Sequence, residues 1–135
     1  MSYVAQPEQR SWMIAEVAAV PGVRQVIVFS ADGLLLTSSE GMDRDAADRL
    51  AANCSGLLSL GRSLGRDFGK DGGLVHQQMV EFNGGFLFMR SAHGAHLAVV
   101  TGPVVDPKLV ARQMQAQVMK IGATHLSSPP RQGTA

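Results

Sequence analysis

Gly69-Lys70 has the residue order that closes a phosphate-binding loop, in which backbone amides cradle a nucleotide's phosphates and the lysine reaches them. The rest of that pattern is missing. Leu64 stands where the first glycine belongs, Asp71 stands where Ser or Thr belongs, and the glycines end a helical stretch instead of opening one. The chain is therefore not expected to bind a nucleotide or to be a GTPase itself. His93 and His96 flank a turn and could bring two imidazoles toward a metal, but no nearby cysteine or paired histidine completes a set of four ligands. Cys54 as a nucleophile would need an activating histidine or a helix N-terminus. It falls mid-helix on an apolar sector, with His76 on a different element, and reads as a small buried side chain. Ser30, Asp32 and Ser38 supply residue types of a hydrolytic triad, yet a turn accounts for Asp32. No catalytic, cofactor-binding or metal-ligating residue is assigned, and the chain is not read as an enzyme.

One polar set remains. Arg62, Arg66 and Lys70 recur every fourth residue and would form a basic row along the exposed side of a helix. Such a row is either a solvated face or a surface for an acidic partner. Met13, Met79, Met89 and Met114 fall in or near the expected core and decide nothing.

With 135 residues, 45% of them hydrophobic, the chain is long enough for one domain with a real core. A net charge of +1, with acids and bases interspersed, gives no field that would draw nucleic acid or anionic lipid. The single cysteine suits a reducing compartment, and no uncharged run approaches the roughly 18 apolar residues of a membrane span. Expectation is a cytoplasmic protein, neither exported nor inserted.

Residues 8–20 read as a helix with Met13, Val17 and Val20 on one side, ended by Pro21-Gly22. Val23 to Ser38 reads as a β-hairpin turning at Asp32-Gly33, both at positive φ. A long proline-free helix runs from its N-cap Asp43 to Phe68 and stops at the following glycines. Leu74–Phe82, Phe86–Ser91 and His96–Thr101 read as a three-stranded meander joined by turns at Asn83-Gly84 and His93-Gly94. Asp106-Pro107 opens a last helix striped by Val110, Met114, Val118 and Ile121 before Gly122. The domain is expected over 8–122 and a flexible polar tail over 123–135. Tight hairpins between most strands predict an α+β fold, an antiparallel sheet flanked by helices.

The long helix carries two apolar sectors side by side. Ala47, Ala51, Cys54, Leu58, Gly61 and Gly65 form a small-residue stripe, with Ala46, Leu50, Leu57, Leu64 and Phe68 beside it. The larger residues are expected to cover the sheet. A glycine inside a helix costs about 1 kcal/mol relative to alanine, so the small stripe should be compensated by a close approach. Either the helix sits close on its own sheet, or a second copy packs its helix there across a twofold axis. The Leu74–Phe82 strand, with no proline or lysine to blunt an edge, would pair with its twin.

The element order, Val20-Pro21-Gly22-Val23, the Ser30-Ala31-Asp32-Gly33-Leu34-Leu35 hairpin and the small-residue helix resemble the roadblock/LC7 family over residues 8–122. The Met79-Val80-Glu81 and Gly85-Phe86-Leu87-Phe88 strands are similar to those of actinobacterial members encoded with a sensor-kinase-like protein and a Ras-like GTPase. The resemblance implies a three-layer, profilin-like sandwich: a five-stranded antiparallel sheet with the central helix on one face and two terminal helices on the other. It also implies a homodimer in which central helices pair and sheets join through the third strands. The expected interface is Ala47, Ala51, Cys54, Leu58, Gly61 and Gly65 on the helix, with Val75, Gln77 and Met79 at the strand. By resemblance the function is regulatory: a non-catalytic adaptor that binds a Ras-like GTPase and modulates its nucleotide cycle or recruitment. The alternative is a nucleotide-independent scaffold that assembles a histidine-kinase-like sensor with the GTPase. Either would bring the protein to a membrane only through its partners.

Overall fold

The computed structural model describes residues 12–91 and 94–127. Residues 8–11 of the expected first helix, His93 of the expected His93-Gly94 turn with Ala92 before it, and residues 128–135 of the expected tail lie outside that set. The order is α1 (Ala15–Ala18), β1 (Val23–Ser30), β2 (Leu35–Ser38), α2 (Arg44–Phe68), β3 (Gln77–Phe82), β4 (Gly85–Ser91), β5 (Ala95–Thr101) and α3 (Pro107–Ser127). The five strands form one sheet in the order β2-β1-β5-β4-β3, antiparallel throughout.

β1 and β5 are interior strands, and each carries an unbroken apolar run, Val26 to Phe29 and Leu97 to Val100, because both faces of the sheet are covered. Side chains alternate between the faces. Val26, Val28, Leu97 and Val99 pack with Val17, Val110, Met114 and Ile121 of α1 and α3. Ile27, Phe29 and Ala98, with Leu87 and Met89 of β4, pack under α2. The layers are helices, sheet, helix, as the resemblance implies.

Four local expectations change. The first hairpin does not turn on two left-handed residues. Only Gly33 takes a positive φ, of 89°, while Gly33 N–H donates to the Ser30 carbonyl and Ser30 N–H to the Leu34 carbonyl. The register slips after Val28, pairing Phe29 with Leu35. This is the turn-plus-bulge hairpin with a longer loop, and it needs a single glycine. β3 begins at Gln77 and not Leu74, because Asp71, Gly72 and Gly73 are all left-handed (φ 54°, 89° and 67°) and the next residues bring the chain back to the edge. Lys70 lies beyond the end of α2 and so belongs to this loop, off the helical row. Finally, α3 runs through Gly122 to Ser127, so the first part of the expected tail, 123–127, is helical. One glycine costs a helix only about 1 kcal/mol, whereas the Pro129-Pro130 pair farther on is a stronger stop.

Candidate functional site

α2 starts where its sequence says. The Asp43 carboxylate accepts a hydrogen bond from the Ala46 N–H at 3.2 Å, satisfying one of the free donors of the first turn. What the pattern left open was which apolar sector meets the sheet. Ala47, Ala51, Cys54 and Leu58 are fully buried against the chain's own β1, β4 and β5. They have no surface left for a second copy, so the expected dimer contact through these four residues is corrected.

The two glycines farther along have the same explanation. A Cβ on Gly65 would lie 2.0 Å from the Gly73 carbonyl oxygen, and one on Gly61 would lie 3.0 Å from Gln78 Oε1. Their cost in the helix is offset inside the monomer, where the loop after α2 and the edge strand approach the helix backbone. Small side chains bring the helix down onto its own sheet.

The larger sector, expected to cover the sheet, does so only in part. Leu50 and Leu57 are half-buried, but Leu64 is 60% and Phe68 84% exposed, and Leu60 beside them is 66% exposed. Ala46, Leu50, Asn53, Leu57, Leu60 and Leu64 succeed one another in alternating steps of four and three, the spacing of a seam between paired helices. Gly56 is exposed and a Cβ there would meet nothing within 4 Å, so its own fold gives no reason for a glycine. The sequence groups Ala46, Leu50, Leu57 and Leu64 on one sector but misses its outward role, with Asn53 and Leu60, because both sectors are apolar and hydropathy alone does not say which faces inward.

The edge strand runs along the seam. Gln78 Nε2 donates to the carbonyl of Leu57 at 3.2 Å, and cross-strand partners place Val80 on the same face as Leu87, under α2. Val80 and Phe82 are exposed there, and Met79 is exposed on the other face. Of the strand-edge residues singled out from sequence, Gln77 and Met79 are exposed, with Gln77 accepting from Arg90, while Val75 packs on the α2 core.

The opposite flank of α2 is polar. Ser55 Oγ donates to the Ala31 carbonyl at 2.8 Å, and Ser59, Arg62 and Arg66 continue along that flank, exposed. Lys70 follows in the loop and lines, with Gly65, Gly69, Asp71, Gly73, Leu74 and His76, a cleft of about 360 Å³. Arg62 sits close enough to His96 to be felt. Burial first, and the Arg62 charge second, hold the His96 imidazole below its ordinary range. His96 is buried, its Nδ1 3.2 Å from Ser91 Oγ and its ring tilted on Phe29, while Nε2 has no partner.

The other chemical candidates come apart. Burial pushes the Cys54 thiol up to about 12, which leaves no thiolate near neutral pH. Ser30 Oγ donates to Asp32, but among the described residues no histidine hydrogen-bonds either group. No cluster of three potential ligands exists among the described residues, and none of their helices is long and apolar enough to cross a membrane. Gly69-Lys70 closes α2 at its C-terminal end, where free carbonyls repel phosphate.

Comparison with known proteins agrees with this geometry. The family model for the roadblock/LC7 domain matches residues 12–101. The crystal structure of a roadblock/LC7 domain from Streptomyces avermitilis is 38% identical, with a TM-score of 0.78 over 86% of this chain and 96% of that one. Two more distant structures share the fold. The gliding protein MglB of Thermus thermophilus is 14% identical, with a TM-score of 0.78 over 95% and 96% of the two chains. Profilin IB of Acanthamoeba castellanii is 15% identical, with a TM-score of 0.57 over 85% and 99%. No curated protein matches significantly. A matched family model over two thirds of the chain, on a sheet with the central helix on one face and the terminal helices on the other, leaves one conclusion: the chain belongs to the roadblock/LC7 domain family.

Proposed function

We propose that this protein is a non-catalytic homodimeric adaptor that binds a Ras-like small GTPase and modulates its nucleotide cycle or its recruitment. The dimer half of the reading is carried by one observation: an exposed leucine seam on α2 lies beside an edge strand whose Val80 and Phe82 are exposed on the same face. A second copy brought in across a twofold axis would cover both at once, helix on helix and strand on strand. Gly56 fits this arrangement, since a helix gains from a glycine where another backbone comes near. The interface residues are then Leu57, Leu60, Leu64, Val80 and Phe82, together with Met79 and Gln77, in place of the buried stripe.

The GTPase half is supported by family membership, bacterial members of which bind Ras-like GTPases. A protein can shift a two-state switch only as far as it prefers one state. The test is a titration against a Ras-like GTPase from the same genome, loaded with GDP or with a non-hydrolysable GTP analogue. A regulator should prefer the GTP form at least about tenfold, or roughly 1.4 kcal/mol. Equal affinity makes the protein a nucleotide-independent scaffold, and absence of binding refutes the reading.

A further inference from the structure

We infer that Arg62 and Arg66 on the polar flank of α2, with Lys70 in the loop that follows, dock an acidic segment of the GTPase. The inference rests on the GTPase reading above and deepens it by naming the chemistry of the contact.

The strip is free on two counts. Arg62 and Arg66 lie exposed on the Ser55 flank of α2, away from the leucine seam, so pairing of two copies through the seam leaves them open. None of its three cations has a carboxylate partner among the described residues, although Asp67 and Asp71 are close in sequence. Near the start of the same helix, Arg44 is paired with Asp48 at 3.1 Å. Arg62 and Arg66 stand one helical turn apart, about 6 Å along the axis and the reach of about two residues of extended chain, and Lys70 follows in the loop.

At its far end the strip runs into a recess. The recess itself is no anion site, since it lies at the C-terminal end of α2 and Asp71 lines it beside Lys70 and His76. Two arginines in line suit carboxylates, which they grip with paired N–H groups. A short line of exposed cations fits a protein segment better than a bilayer, which would need cations and apolar anchors in one plane. Rows of this kind act mainly on encounter rate and partner choice, so their mark is salt sensitivity.

The experiment compares the full-length wild type with the Arg62→Glu/Arg66→Glu/Lys70→Glu variant and the milder triple Gln variant. GTPase affinity is measured at 50 and 300 mM salt, with solution mass and Tm followed for each protein. Wild-type affinity should fall at least tenfold at high salt. The Glu variant should bind at least tenfold more weakly at low salt, the Gln variant should lie between, and the mass should not change. Equal binding by all three proteins overturns the inference and leaves the GTPase reading standing. A lowered Tm with unchanged binding also overturns it, since the cations would then serve only the negative end of the helix. No binding by the wild type overturns both. Wild-type binding to phosphatidylglycerol vesicles that the variants lose, with GTPase affinity unaffected, would assign the strip to a membrane and refute a protein partner.

Discussion

The two faces of the sheet are finished differently. Under α1 and α3 the packing is closed by the chain's own side chains: Val110, Met114 and Ile121 fill the layer. Two polar ties cross it there, from Gln117 Nε2 to the Trp12 carbonyl at 2.9 Å and from Lys120 to Glu16 at 2.7 Å. Under α2 the same sheet meets alanines and a cysteine, so the helix sits low and its large residues are left on the flank. The polar contacts there, Gln78 to Leu57 and Ser55 to Ala31, fix the helix from either side without covering that flank. One face satisfies itself; the other presents an apolar seam and an open strand edge, a surface that monomeric domains rarely leave uncovered.

If burial is complete beneath both layers, core truncation should cost alike on each. Leu58→Ala under α2 and Met114→Ala under α3 are both expected to lose about 2–5 kcal/mol in denaturant unfolding. A Leu58→Ala loss well under about 1 kcal/mol, the range of surface substitutions, would mean that α2 is not seated on the sheet.

A smaller effect separates the faces by pH. His96 lies on the α2 side, with the Arg62 charge nearby and Ser91 and Phe29 against its ring. Its folded pKa is held below the value of 6.5 expected for an unfolded histidine, so below pH 6.5 the unfolded chain binds more protons than the folded one. Stability should therefore be fully present above about pH 7 and fall as the solution is acidified through 6.5, until the folded imidazole itself protonates. The His96→Phe variant should lose this component of the pH profile. An unchanged slope would remove His96 from the account.

Much of the architecture was legible because local signals agreed with one another: the Asp43 cap, the proline-free run to Phe68, and Gly84 turning β3 into β4. The expected small stripe was real, and the glycines did need a close approach, but the approach was by Gln78 and Gly73 of the same chain. Helical periodicity places residues on sectors and gives no distance from helix to sheet, so the inward sector stayed ambiguous. The basic row showed the same limit. Spacing alone put Lys70 on the helix, whereas a left-handed Asp71, which residue identity does not announce, turned the chain into a loop and made a cleft there. Gly122 misled in the opposite direction, since a lone glycine is a weak stop.

The most direct test is the solution mass of the 135-residue protein and of its Leu60→Asp/Leu64→Asp variant, measured by sedimentation at matched concentrations. The wild type should run at twice the chain mass of 14.3 kDa, and the variant, whose two changes lie on exposed positions, should run as a folded monomer with near-unchanged Tm. A monomeric wild type, or a variant that remains a dimer, would contradict the assignment of the α2 seam as the surface that joins two copies.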